Sequence, residues 1–222
     1  HIRGMSQESR AHSVILDAAT RRNLEIDINM AGGDSNTLFS VMDKGVTAMG
    51  SRLLRRWLQR PLRDRACLQA RHQCIGQLCD DRLHEELRPP LRNVADIERI
   101  LTRIALRSAR PRDLAGLRDS LAQLPALQQL LAGHTDPLLQ DLASRIGEHP
   151  DTHALLARAI LESPPLLVRD GGVLARGYDA TLDELRDLSE HGDRYLVDME
   201  TRERERTGIA TLRIRYNKVH GF

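Results

Sequence analysis

The sequence predicts an all-α fold: a helical bundle with a long projecting helix, and minor β structure at the N-terminus, near residues 166–176 and at the C-terminus. Three observations lead there. Apolar residues recur at three- and four-residue spacing through most of the chain. Aromatic residues make up only 3%, so the core has to come from aliphatic helix faces. Glycines and prolines fall mostly between the periodic segments, where they punctuate helices.

Residues 1–36 form a mixed leading segment. Val14-Ile-Leu16 has the look of a short strand, Arg21 to Ile26 of a turn or short helix, and Gly32-Gly33-Asp34 of a loop. Residues 37–178 form the helical core. There Thr47 is positioned to cap a helix carrying Met49, Leu53, Leu54, Trp57 and Leu58 on one face, stopped by Pro61. Asp64 caps a second helix that holds Cys67, Cys74 and Cys79. Ile97, Ile100, Leu101, Ile104 and Ala105 follow the ideal amphipathic pattern. Pro111 then opens a helix with Leu114, Leu117, Leu121 and Leu124. Asp136-Pro137 and Asp151 read as two further starts. Pro164-Pro165 ends the bundle, and residues 166–176 read as a hairpin or extended excursion turning at Asp170-Gly171-Gly172.

Residues 179–207 are predicted as one amphipathic helix, roughly 40 Å long at about 1.5 Å per residue. Leu185, Leu188, Gly192, Tyr195 and Met199 make its packing seam, at coiled-coil spacing. Each large apolar residue buried there would contribute about 1.5–3 kcal/mol, which a lone helix cannot collect. Gly192 signals either a close backbone approach or a bend. Residues 208–222 begin a separate domain. From Asp179 to Arg206 ten acids face five arginines, whereas from Gly208 onward there are three basic residues and no acid. In Thr211-Leu-Arg-Ile-Arg-Tyr216 the alternation places Arg213 and Arg215 on one strand face. With Lys218 they suit a nucleic-acid backbone contact or, equally, a charged edge strand. A helix needing a partner that runs into a strand needing a sheet, in a chain opening on His1, is the expectation for a piece of a larger protein.

The residue patterns exclude several functions. Neither Gly32-Gly33 nor Gly171-Gly172 continues into the lysine and hydroxyl of a phosphate-binding loop. His149-Pro-Asp-Thr-His153 has zincin-like spacing, but Pro150 interrupts the helix that such a site needs, so a surface turn is expected. The Cys-x6-Cys-x4-Cys spacing fits neither a disulfide framework nor zinc, and Cys67, Cys74, Ile75 and Leu78 share a stripe that reads as buried thiols. No nucleophile elbow occurs. Arg52, Arg55, Arg56, Arg60, Arg63 and Arg65 crowd one helix end, where complementing the dipole is the expected role. The sequence thus predicts no catalytic residue, no metal site and no cofactor for this stretch, a cytoplasmic setting and no membrane segment.

Longer motifs carry a resemblance. Leu16-Asp-Ala-Ala-Thr-Arg-Arg-Asn-Leu-Glu-Ile26, Thr37-Leu-Phe-Ser-Val-Met-Asp43, and Met49-Gly-Ser-Arg-Leu-Leu-Arg-Arg-Trp-Leu58 with Pro61-Leu62 occur in that order. Asp96-Ile-Glu-Arg-Ile100, Ala109-Arg-Pro-Arg-Asp-Leu114, Val168-Arg-Asp-Gly-Gly-Val173 with Gly177-Tyr178, and Arg202-Glu-Arg-Glu-Arg-Thr-Gly208 follow. Leu212, Tyr216-Asn217 and His220-Gly221 complete the run. Together they resemble the core, or lever, domain of the MutS family of bacterial DNA mismatch-recognition proteins, up to the first clamp strand. The resemblance implies that residues 1–36 come in from a connector region and that the long helix is the first of two levers. Residues 208–222 would begin a clamp that closes over DNA. It implies ATP and Mg in a parent protein, through an ATPase domain outside this chain. The implied partners are DNA, the remaining domains with the returning lever helix, a second copy in a homodimer, and a MutL-type repair protein. The family's Phe-x-Glu wedge is not supplied by Phe39 or Phe222, so this stretch is expected neither to recognise a mismatch nor to hydrolyse ATP. Two rival readings are an autonomous helical adaptor binding a protein through the same seam, and a hydrolase with a dispersed active site.

Overall fold

A computed structural model describes residues 13–214, and these are predominantly helical. The chain divides into two compact units, His1–Val173 and Leu174–Phe222. Among the described residues no helix is long and apolar enough to cross a membrane.

In the first unit most helices begin where a short polar side chain closes the first turn. Asp17 accepts from Thr20 N–H ahead of α1 (Ala18–Asn23), and Thr37 shares a capping box with Ser40 at α2 (Leu38–Met42). Thr47 caps α3 (Ala48–Gln59) and Asp64 caps α4 (Arg65–Asp80). Helix α5 (Leu83–Arg92) follows the left-handed residue Arg82, and Asp96 caps α6 (Ile97–Ala105). Pro111 opens α7 (Pro111–Leu131), Asp136 caps α8 (Pro137–Arg145), and Pro150 opens α9 (Pro150–Ala159).

Helix α7 organises the unit, packing against α5, α6, α8 and α9. One core lies toward its C-terminal end, where Leu131 meets Cys74, Leu83 and Leu139. A second joins Leu117 and Leu121 to Ile100. Ser120, fully buried beside them, accepts from the Ala95 amide at 2.9 Å and donates to the Gly116 carbonyl at 2.6 Å. A buried hydroxyl is stable there because both of its hydrogen-bonding capacities are used.

The structure corrects several expectations. Val14-Ile-Leu16 is not a strand: Val14 N–H bonds the Pro61 carbonyl at 2.8 Å, and pairing is limited to an isolated bridge, Ser13 with Leu62. No hairpin forms among residues 166–173; a 3-10 turn, Val168–Asp170, leads into Gly171 and Gly172 at φ 73° and 62°. Leu161 N–H reaches the Val173 carbonyl at 3.0 Å, but Pro164 and Pro165 lack the N–H groups that a ladder requires. The helix start expected at Asp151 is present one residue earlier: α9 opens on Pro150, where the missing N–H costs nothing, with Asp151 in its first turn. His149 is the left-handed residue before that helix and His153 lies within it. In the cysteine helix Cys74 is buried and Cys67 half-buried, whereas Ile75 is exposed. Burial pushes the Cys74 thiol above its ordinary value, with Asp136 adding to the effect.

Two members of the arginine cluster, Arg52 and Arg55, reach across the fold, while Arg56 lies in the last turn of α3. Arg52 forks onto Asp96 at 2.6 and 2.7 Å and reaches Glu98 at 2.6 Å, tying α3 to the start of α6. Arg55 stacks over Phe39 at 4.4 Å and Arg71 over Trp57 at 3.8 Å. Hydrogen bonding from Arg52 holds the Asp96 carboxyl below its ordinary value despite the opposing effect of burial. A depressed carboxylate stabilises the fold above its unfolded pKa of about 3.9, and that contribution disappears as pH falls through the lower folded value. Urea midpoints measured from pH 6 downward are therefore expected to fall in that acid range, and less steeply in Asp96→Asn. Parallel curves for the two proteins would refute this assignment.

Candidate functional site

The second unit contains the residues singled out as a packing seam and the start of the basic segment. Asp179 accepts from Leu182 N–H at 2.8 Å and so starts α10 (Ala180–Glu190). Arg186 bonds Asp183 at 3.2 Å and the Leu174 carbonyl at 3.0 Å, holding the approach to the helix in place. Arg176 spans the other end, with one nitrogen 2.8 Å from Asp187 and another 2.8 Å from Glu190. Bonding to Asp187 and the charges of both acids hold this guanidinium above its ordinary range.

The predicted single helix is two helices. His191 leaves helical geometry at φ −120° and ψ 23°, and α11 (Gly192–Thr207) continues from it. The bend alternative at Gly192 is the one the structure adopts. Leu185, Leu188 and Tyr195 are exposed at 59%, 44% and 44%, while Gly192 and Met199 are half-buried. The apolar spacing of the seam thus coincides with side chains left in solvent, not with a core.

Beyond α11, Gly208 adopts the left-handed conformation at φ 69°, and its N–H bonds the Arg204 carbonyl at 2.9 Å. The chain then folds back. Leu212 N–H reaches the Ile209 carbonyl at 3.2 Å, and Arg204 Nε donates to the Leu212 carbonyl at 2.8 Å. Ile214 N–H bonds Glu200 at 3.0 Å, and Glu200 pairs with Arg204 one turn along the helix. Arg206 pairs with Glu203 at 2.8 Å, so the charged run behaves as the paired helix end its spacing suggests. Among the described residues 211–214 form no strand, because Glu200 and Arg204 take the backbone groups that a sheet would use. Arg213 is exposed, whereas Arg215 and Lys218 lie outside the described residues.

Sequence reasoning did not single out Arg176, Arg186 or Glu200, and Arg204 entered only within the charged run 202–206. A signal for Glu200 was present, an acid four residues before Arg204, but the use of both groups to hold Leu212 and Ile214 is tertiary. Asp187, Glu190 and His191 place ligand-type atoms within 4.8 Å of one another. All are exposed, and Arg176 already bonds both carboxylates, so the cluster is a salt-bridged helix end. In the first unit, an open groove of about 740 Å³ runs beside Val14, Leu16, Arg21, Leu53, Trp57 and Arg71. Its carboxylate, Asp17, is engaged in capping α1. What these arrangements offer chemically is an apolar helix face and charged tethers. Residues 19–217 match the family model described as MutS domain III.

Proposed function

Because this chain belongs to the MutS family of mismatch repair proteins, its residues 19–217 matching domain III, we propose that it acts as a non-catalytic mechanical linkage. In that role the bundle in the first unit is the core, and α10 with α11 forms a lever. The lever couples mismatched-DNA binding by clamp and N-terminal domains to a C-terminal ATPase of a parent protein. ATP and Mg would act in that ATPase. The parent would work in the cytoplasm as a homodimer with a MutL-type repair partner. Arg213, Arg215 and Lys218 would meet the DNA backbone within a complete clamp.

The observation that carries this reading is the exposed seam. Leu185, Leu188 and Tyr195 project from α10 and α11 into solvent although their spacing is that of a helix-packing stripe. A returning lever helix would cover them, and helices suit the task because their backbone ladder keeps them stiff along the axis. The test compares this chain with a lengthened protein that includes the downstream segment of the parent gene. Leu185→Cys and Tyr195→Cys variants are treated with a maleimide, and modification is read peptide by peptide to separate it from the native thiols. Labelling is expected to slow at least about tenfold in the longer protein, as for a side chain moved into a packed interface. Equal rates in both would eliminate the lever assignment and favour an adaptor that meets its partner through this face.

A further inference from the structure

A helix meant to carry displacement along its axis is interrupted midway. The backbone ladder runs as far as His191 N–H to the Asp187 carbonyl at 2.9 Å, and resumes with Tyr195 N–H to the His191 carbonyl at 3.0 Å. Between them His191 takes non-helical dihedrals, so among the described residues the intervening rungs of a continuous helix are skipped. The next residue is Gly192, which favours helix less than any residue except proline. Crowding does not require a glycine there, since an added Cβ would meet nothing within 4 Å. Nor does its backbone lie in the left-handed region. An alanine would fit without strain, so the effect of the glycine is conformational freedom.

Both flanks of this point are fastened. On one side Arg176 grips Asp187 and Glu190, the last turn of α10, and a ring nitrogen of His191 lies 3.3 Å from the Asp187 carbonyl. On the other side, Glu200 and Arg204 fasten α11 to the chain that follows it. Freedom is therefore confined to the joint between two braced helices. We propose that His191–Gly192 is a hinge built into the lever, located by the Arg176 clamp, about which α11 changes direction while both helices stay intact. The hinge rests on the lever reading and deepens it: the lever would transmit displacement with a set bending point instead of as a straight rod.

The test is amide hydrogen exchange, followed residue by residue by NMR on the 222-residue chain, with Gly192→Ala and Arg176→Ala as variants. In the unaltered chain the amides of Gly192 and Arg194 are expected to exchange faster than those of Leu185 and Val197 on either side. Gly192→Ala should slow exchange at position 192 and at Arg194 by about fivefold, the size of the glycine-to-alanine helix preference. Arg176→Ala should speed exchange at Glu190 and His191 while leaving residues 197–207 unchanged. Protection at Gly192 and Arg194 equal to that of Leu185 would overturn the hinge, as would rates unaffected by Gly192→Ala. Uniformly fast exchange along all of α11 would overturn it too, because a hinge needs two formed arms. A rigid joint would leave the maleimide result untouched, so the failure of one idea is distinguishable from the failure of the other.

Discussion

Leu139→Ala is expected to lower the stability of the first unit by about 3 kcal/mol, within the range of roughly 2–5 found for buried leucines. Leu139 is 2% exposed and packs with Cys74, Leu83 and Leu131, so α4, α5, α7 and α8 all meet around it. Truncation removes the transfer free energy of its buried methyl groups and leaves a void. That void is hard to close because the side chains facing it come from three other helices, α4, α5 and α7. Trp57, the single tryptophan, lies in the same unit and provides a fluorescence probe of urea unfolding. Leu188→Ala is the matched control; its side chain is 44% exposed, and the expected change is within about 0.5 kcal/mol. A loss below about 1 kcal/mol at Leu139 would show that the helices do not converge there.

Arg118→Ala is expected to cost about 2–3 kcal/mol and to loosen the chain that follows α9. The Arg118 side chain is only 11% exposed. Its guanidinium donates to the carbonyls of Ile160, Leu161 and Glu162 at 3.3, 3.0 and 3.0 Å, and Arg112 adds a bond to the Pro164 carbonyl at 3.4 Å. Few other donors exist locally, since Pro164 and Pro165 bring none of their own. Removing the guanidinium leaves the part-buried Ile160 carbonyl unpaired, which is more costly than the mean value of a hydrogen bond, while the exposed Leu161 and Glu162 carbonyls turn to water. Arg118→Lys should recover less than half of the loss, because a point charge cannot fork across several carbonyls. Trypsin cleavage at the exposed Arg169 provides a second measure and is expected to accelerate in the alanine variant. Unchanged cleavage together with a stability loss under about 0.5 kcal/mol would rule out the clasp.

Much of the helical order was legible in the sequence because helix starts are local events. Thr47, Asp64, Asp136 and Asp179 lie within three residues of the amides they bond, so each signal sits in one short window. The seam was read from a single helix period, but the structure distributes its residues over two helices, α10 and α11, separated at His191. Helix α5 was not legible, because Pro89 and Pro90 read as punctuation and yet lie inside it. Tertiary packing of Leu83 and Leu87 offsets what the prolines remove. Pro125 likewise lies within α7, which contributes to both cores.

By itself the sequence determined an all-α chain, most of the helix starts, and motifs that place it in one family. Only the tertiary structure decided how the arginines are used, with Arg52 reaching Asp96 and Arg118 reaching the turn after α9. It also decided that Val14-Ile-Leu16 and, among the described residues, 211–214 form no strand, and that the long helix breaks at His191. The division has one cause. Capping and periodicity are set by neighbours a few residues away, whereas a guanidinium or a free backbone amide bonds whichever acceptor the folded chain brings within reach.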